Sequence, residues 1–225
     1  MKRIIITLVI TCMVFVVFAA ESVALLSASK GKVDLSRDAK AIKFQNGDLL
    51  KNNDELRTGG ESFAAYKYID GSSTIKVFSN SVVRITANRS GKSLSKKVVI
   101  NKGSIFTNVK PKTGAFIVQT PTTVASVKGT GFLTKLNDKG DSFFIVTDGE
   151  VELKIMDSEE VKSVPAGNTA IIDELGNYEM RASTKEDTSS IEQAEIESSQ
   201  TTEPKTIRIP VVDAAGRTKY IEITY

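Results

Sequence analysis

Lysine and arginine side chains dominate one long stretch of this 225-residue sequence. No acidic residue occurs between Asp70 and Asp138, so the stretch could bind an anionic polymer, a lipid headgroup or an acidic protein. The candidate binding residues are Arg84, Arg89, Lys92, Lys96, Lys97, Lys102, Lys110 and Lys112. The alternative is that these side chains are solvated outward positions of strands, balanced by acids before and after the stretch.

Residue types also exclude several kinds of catalysis. The sequence has no histidine, and its one cysteine is Cys12, which lies in an apolar segment near the amino end. These absences exclude a Ser-His-Asp triad, a histidine-ligated zinc and a cysteine nucleophile. We therefore predict a protein that is not an enzyme and has no catalytic residues, cofactor or metal. A polysaccharide-active enzyme stays open, because glycoside hydrolysis needs only two carboxylates.

Two short motifs could bind ligands but are better explained as structure. Gly129-Thr130-Gly131 would cradle a phosphate only if a helix followed it, and the next residues, Phe132 to Leu136, have strand character. We expect a bulge or a close backbone approach at a sheet crossing there. Asn137, Asp138 and Asp141 offer oxygen ligands, but their spacing misses the EF-hand pattern and a turn accounts for them.

The elements that position these residues have the lengths of β-strands. Val151, Leu153 and Ile155 alternate with charged residues, which predicts a strand with one face in water. No window of helical length has apolar residues at spacings of three and four, so the sequence predicts an all-β domain. Turns are expected at Asp70-Gly71, Lys102-Gly103 and Asp148-Gly149, a polar loop at 88–92, and a closing hairpin at 161–172.

The amino end has the layout of an export signal. Met1-Lys2-Arg3 precedes an apolar run from Ile4 to Ala20, so residues 1–20 are predicted to be a signal peptide. An uncleaved anchor that contacts the membrane through residues 4–20 is the alternative. Either way we expect an extracytoplasmic protein of the periplasm or cell envelope, without a disulfide-linked partner. A nucleic-acid partner is disfavoured by export and by the lack of aromatics among the basic residues.

The carboxyl-terminal part differs in composition. Residues 182–204 are rich in Ser, Thr and Glu, with few large apolar side chains, so we predict a flexible linker in which Ile191 and Ile196 could support a transient helix. Residues 205–225 alternate again and predict a terminal β-hairpin, which should dock on a sheet edge of the main domain or on a partner. The main β-domain is assigned to residues 23–181.

Several motifs in order resemble the FecR domain. They run from Gly47-Asp48 through Asp70-Gly71-Ser72 and the stretch NKGSIFTNV (101–109) to TPTTVASVKGTGF (120–132) and TDGEV (147–151). The resemblance covers residues 47–172 and implies an extracytoplasmic β-domain, a compact β-sandwich or jelly-roll-like fold of many short strands. The motif residues expected to be structural are Asp70, Gly71, Gly103, Thr120, Pro121, Gly129, Thr130, Phe132, Asp148 and Gly149.

The resemblance also bears on function. Sensors of this family relay occupancy of an outer-membrane receptor to a cytoplasmic sigma factor through one membrane helix. Only three residues precede the apolar segment here, so we expect no cytoplasmic domain that could hold a sigma factor. The leading hypothesis is an exported binding module that contacts an envelope protein or an anionic envelope polymer. The alternative is an accessory sensor in transmembrane signalling.

Overall fold

A computed structural model describes residues 22–90, 93–156, 158–189, 191–192, 206–212 and 218–224. The signal peptide predicted at 1–20 lies outside the described residues. Within them, no helix is both long enough and apolar enough to cross a bilayer.

Nearly all of the described chain is β-structure, which confirms the predicted all-β class. The strands are β1 (Ser22–Lys30), β2 (Val33–Arg37), β3 (Lys40–Ile42), β4 (Leu49–Lys51), β5 (Glu55–Thr58), β6 (Phe63–Tyr68), β7 (Ser73–Val77), β8 (Val82–Ser90), β9 (Ser93–Val109), β10 (Phe116–Gln119), β11 (Thr123–Val127), β12 (Gly131–Leu136), β13 (Ser142–Asp148), β14 (Glu150–Ile155), β15 (Val161–Pro165), β16 (Asn168–Ile172), β17 (Tyr178–Ala182), β18 (Thr206–Val212) and β19 (Thr218–Thr224). One short helix, α1, covers 185–189 and 191–192.

The first seventeen strands form one hydrogen-bonded sheet that folds over into two layers. Layer A has the order β4-β1-β6-β7-β9-β12-β13-β16-β17. Layer B has the order β3-β2-β5-β8-β9-β10-β11-β14-β15. All neighbours are antiparallel except β9 and β10. The sandwich expected from the sequence is therefore present.

Strand β9 belongs to both layers. Its first half pairs with β8 and β10, and its second half pairs with β7 and β12. Gly103, with a φ of 83°, lies where the strand changes layers. The turn predicted at Lys102-Gly103 is therefore wrong: the positive φ bends one continuous strand and does not end it.

The main core lies between the layers. Tyr68 of layer A meets Phe116 of layer B edge to face, with ring centroids 5.9 Å apart. The Tyr68 hydroxyl donates to backbone oxygens of Thr86 and Lys97 across the sandwich. Burial raises the pKa of Tyr68 far above its usual value. Period two is clearest in β14, where Val151, Leu153 and Ile155 point inward as predicted.

Other sequence predictions were wrong in detail. The turn predicted at Asp70-Gly71 is present between the paired strands β6 and β7. It was expected to be a two-residue turn with a positive φ at both positions, but the connection has four residues and of the two only Gly71 has a positive φ. The expected closing hairpin at 161–172 is absent, because β15 pairs with β14 in layer B whereas β16 pairs with β13 in layer A. The polar loop predicted at 88–92 is shorter than expected, because β8 continues to Ser90.

Helix α1 occupies the first part of the predicted linker at 182–204, where Ile191 was expected to support a transient helix. The remainder, 193–204, lies outside the described residues. Strands β18 and β19 pair antiparallel from Thr206↔Thr224 to Val212↔Thr218. Where this hairpin docks stays a prediction.

Candidate interaction surfaces

The proposed binding residues that the structure describes do not form one continuous, unpaired basic face. Arg84 projects from the outer face of layer B, and its guanidinium lies 3.2 Å from the Glu55 carboxylate. This ion pair fits the alternative in which acids outside the basic stretch balance its charges. Lys97 is half-buried in β9, and Lys102 is exposed beside Gly103. Lys110 and Lys112 are exposed in the segment after β9. The side chain of Arg89 and all of Lys92 lie outside the described part of the chain.

Lys96 is the clearest correction to the proposed basic face. Its side chain is buried, and its ammonium donates to Asp70 Oδ2 at 2.8 Å, Ser72 Oγ at 2.8 Å and the backbone oxygen of Thr113 at 2.9 Å. Lys96 therefore joins the β6–β7 connection to the segment before β10. It has an internal structural role and cannot contact an external partner.

The Asp70 carboxylate is the acidic partner in this network. Burial raises the pKa of Asp70, but hydrogen bonds from Lys96 and Ser72 outweigh burial and hold it below its usual value. Asp70 is therefore a charged carboxylate at neutral pH, and its charge is offset by Lys96.

The glycine motifs form two chain crossings that touch each other. Between β11 and β12 the chain passes from layer B to layer A at Gly129, where an added Cβ would lie 2.8 Å from Pro111 Cα. Between β13 and β14 it returns at Gly149, where an added Cβ would lie 2.6 Å from the backbone oxygen of Gly129. The Thr130 hydroxyl donates to the Glu150 backbone oxygen at 3.1 Å. Asp148-Gly149, where a turn was expected, is thus a crossing between the two layers.

Thr120 and Pro121 belong to a third structural motif. The buried Thr120 hydroxyl accepts from Ser142 Oγ at 3.0 Å and from the Thr123 backbone N at 3.1 Å. These bonds connect the β10–β11 turn of layer B to the start of β13 in layer A. Phe132, which follows the crossing at Gly129, is fully buried in the main core.

None of these motifs assembles reactive groups. Gly129-Thr130-Gly131 is followed by a strand, so it is not a phosphate cradle. Asn137 and Asp141 bond each other within a turn, at 2.8 Å from the amide Nδ2 to the carboxylate. In the described part of the chain, no group of three or more acidic, histidine or cysteine residues is placed to hold a metal.

The outer face of layer A is a surface that the sequence analysis missed. One row of side chains crosses it in register, and it runs through Ala28, Ala65, Lys76, Phe106, Leu133, Ile145, Thr169 and Arg181. Several of these residues form a second apolar cluster, separate from the main core. The signal was available in Phe143-Phe144-Ile145-Val146, which is apolar at consecutive positions, because a strand covered on both faces has such a run.

The family comparison decides the assignment of the central segment. The model of the FecR protein family matches residues 54–152. This segment is therefore similar to the FecR domain. It contains the β6–β7 connection, both glycine crossings and the Lys96 network.

Solved structures share the fold. Two crystal structures of proposed anti-sigma factors from Parabacteroides distasonis, at 1.65 and 2.50 Å resolution, superpose with TM-scores of 0.53 and 0.52 at 19% and 20% identity. Each match covers 62% of this chain and 64% of the other, so this chain spans less than two thirds of their length. No curated protein matches the sequence.

Helix α1 covers one end of the outer face of layer A, beyond the FecR-like segment. Thr184 and Asp187 form a capping box: Asp187 Oδ2 accepts from the Thr184 backbone N at 2.7 Å, and Thr184 Oγ1 accepts from the Asp187 backbone N at 3.3 Å. Asp187 also pairs with Arg181 of β17 at 2.5 Å, and this hydrogen bond lowers the pKa of Asp187. Ile191 is buried in the second apolar cluster. The T-x-x-D pattern was the sequence signal for this helix.

We expect Ile191→Ser to release α1. A buried isoleucine side chain contributes about 1.5–3 kcal/mol, so tryptic cleavage after Lys185 should become at least about tenfold faster. The matched control is Ile191→Leu, which conserves side-chain volume and should cleave at nearly the wild-type rate. Limited trypsin digestion followed by mass spectrometry measures both. Equal rates in all three proteins would contradict the docking of Ile191.

Proposed function

We propose that this protein is an exported, non-enzymatic signalling module of the bacterial cell envelope that acts by binding a protein partner. The observation that carries the proposal is a FecR-like domain whose fold is shared with proposed anti-sigma factors. Those proteins are only distant relatives in sequence, so their role comes to this chain as a hypothesis. Export is supported by the basic and apolar pattern of residues 1–20.

Within this proposal, an accessory sensor is better supported than a module that binds an anionic polymer. The polymer hypothesis depended on a continuous basic face, and two of its members, Lys96 and Arg84, have acidic partners inside the protein. A protein partner needs only an outer face or a sheet edge, and the sandwich offers both.

Deletion of the gene in its own bacterium tests the signalling role. We expect transcripts of a small, coherent set of envelope genes to change, and expression of the full chain to restore them. The matched control restores the deletion strain with a chain in which Lys2, Arg3 and the apolar run to Ala20 are removed, which should fail because that chain stays in the cytosol. RNA sequencing and cell fractionation are the measurements. No transcriptional change, or equal rescue by the unexported chain, would contradict the proposal.

A further inference from the structure

The uncovered part of the outer face of layer A combines lysines with apolar side chains. Next to Phe106 lies a recess of about 380 Å³ whose lining includes Lys67, Lys76, Asn108 and Lys110. Lys76 Nζ lies 6.0 Å from the centre of the Phe106 ring, within the range of a weak cation–π contact. In the described part of the chain, none of these lysines is in an ion pair with a carboxylate.

Two exposed leucines lie beside the recess, next to Lys67 on the outer face of layer A. Leu25 of β1 is the cross-strand neighbour of both Leu49 of β4 and Lys67 of β6. The two leucines are 37% and 53% exposed. Large apolar side chains at this exposure, next to unpaired lysines, form a surface that could bury both apolar and charged groups of a partner.

No acidic residue lines the recess. The outward positions of β6, β7, the second half of β9, β12 and β13 are Phe63, Ala65, Lys67, Thr74, Lys76, Ser104, Phe106, Asn108, Leu133, Lys135, Phe143, Ile145 and Thr147. Of the nearby acids, Asp70 is already paired with Lys96, and Asp148 lies outside the recess at the exposed end of β13, across Gly131 from Phe106. The charge of the recess is therefore positive, and it favours an acidic occupant.

Helix α1 shows which chemistry this face accepts. At the other end of the same row, α1 places one apolar side chain, Ile191, in the second apolar cluster and one carboxylate, Asp187, on the basic residue Arg181. An apolar residue and an acid, presented together from one helix, thus already bind to the outer face of layer A. The recess at Lys67 and Lys76 offers the same two kinds of contact without an occupant among the described residues.

We propose that the Leu25–Lys67–Lys76–Phe106 surface is the docking site for an acidic amphipathic segment of a protein partner. The segment would place carboxylates on Lys67, Lys76 and Lys110, and apolar side chains over the exposed Leu25 and Leu49, beside Phe106, which is 9% exposed. The assignment rests on the proposed function, which it deepens by naming the surface and the chemistry of the partner. Such helix-on-face recognition uses apolar anchors at helical spacing.

Binding of designed peptides to the full exported chain tests the proposal. The probe is a fluorescein-labelled amphipathic helical peptide of about three to four turns with leucines on one face and glutamates on the other. We expect binding that weakens at high salt, and about tenfold weaker binding by Lys67→Gln/Lys76→Gln. The matched control is Lys40→Gln/Lys43→Gln at β3, the edge of layer B, which removes the same charge and should bind like wild type. Fluorescence anisotropy measures affinity, and thermal unfolding checks that all variants are folded.

Other outcomes would overturn the proposal. Equal weakening by both double variants would mean attraction to net charge only. Equal binding of a peptide with lysines in place of glutamates would remove the acidic specificity. Binding only after truncation after Glu192, which leaves α1 in place, would make the carboxyl-terminal part of this chain the occupant. Preference for dextran sulfate over the acidic peptide would favour an anionic polymer. Each result concerns the surface alone, because the signalling role is tested separately by transcripts in the deletion strain.

Discussion

Replacing Gly103 by alanine is expected to lower the free energy of unfolding by about 2–5 kcal/mol. The residue has a φ of 83°, which costs an alanine about 1–2 kcal/mol. In addition, the new Cβ would lie 2.5 Å from Ser81 Cα and 2.2 Å from Ser81 Oγ. Ser81 cannot move aside easily, because its hydroxyl accepts from the Ser104 backbone N at 2.9 Å and donates to the Ser104 backbone oxygen at 3.1 Å. Overpacking of this kind adds about 1–3 kcal/mol.

Gly167 provides the matched control for this variant. It has nearly the same φ, 82°, but no atom lies within 4 Å of an added Cβ. Gly167→Ala should therefore cost only the conformational term, about 1–2 kcal/mol. Urea unfolding followed by circular dichroism measures both variants. Equal losses of stability would contradict the close contact between Gly103 and Ser81, and with it the change of layers within β9.

Gly103 also shows why the sequence predicts strands better than their connections. Alternation in β14 identifies the buried face correctly, because the pattern depends only on neighbours along the chain. A lysine followed by glycine between two apolar runs has the same local pattern whether the chain reverses or bends. The bend at Gly103 depends on Ser81, which is distant in sequence, and no local rule contains that contact.

The covered outer face of layer A was missed for a similar reason. Residues 182–192 have the composition of a linker, and composition outweighed the short T-x-x-D capping signal at Thr184. Ile191, which packs on the apolar surface of β9, β12 and β13, and the Asp187–Arg181 ion pair together place α1. The resemblance to the FecR domain, by contrast, is confirmed by the family comparison. The motifs at Gly129 and Gly149 lie close in the sequence and also pack against each other in the fold.

Lys96 was assigned to a binding face because a lysine in a basic stretch is usually exposed. Its burial depends on three acceptors from other parts of the chain, at Asp70, Ser72 and Thr113. No count of charges along the sequence could separate it from its neighbour Lys97. Replacing Lys96 and Lys97 in turn therefore tests whether Lys96 is the buried one of the two.

Replacing Lys96 by methionine is expected to lower the free energy of unfolding by about 2–3 kcal/mol. Breaking a fully buried ion pair by removing one partner costs about 3–5 kcal/mol, and we reduce that value because the Asp70 side chain is 30% exposed. Lys97→Met, the half-buried neighbour, should cost no more than about 0.5 kcal/mol. Lys96→Met combined with Asp70→Asn should recover part of the loss, because no unpaired carboxylate remains.

The dependence on pH distinguishes the ion pair from packing of the lysine chain. The pKa of Asp70 is lower in the folded protein than in the unfolded chain, where a carboxyl titrates near about 3.9. The ion pair therefore contributes fully above about pH 4, and its contribution is lost as the pH falls through the folded pKa of Asp70. The difference in unfolding free energy between the wild type and Lys96→Met should be constant from about pH 5 to 7 and shrink below about pH 4. A difference that stays unchanged down to about pH 2.5 would mean that packing of the lysine chain, and not its contact with Asp70, holds these two connections together.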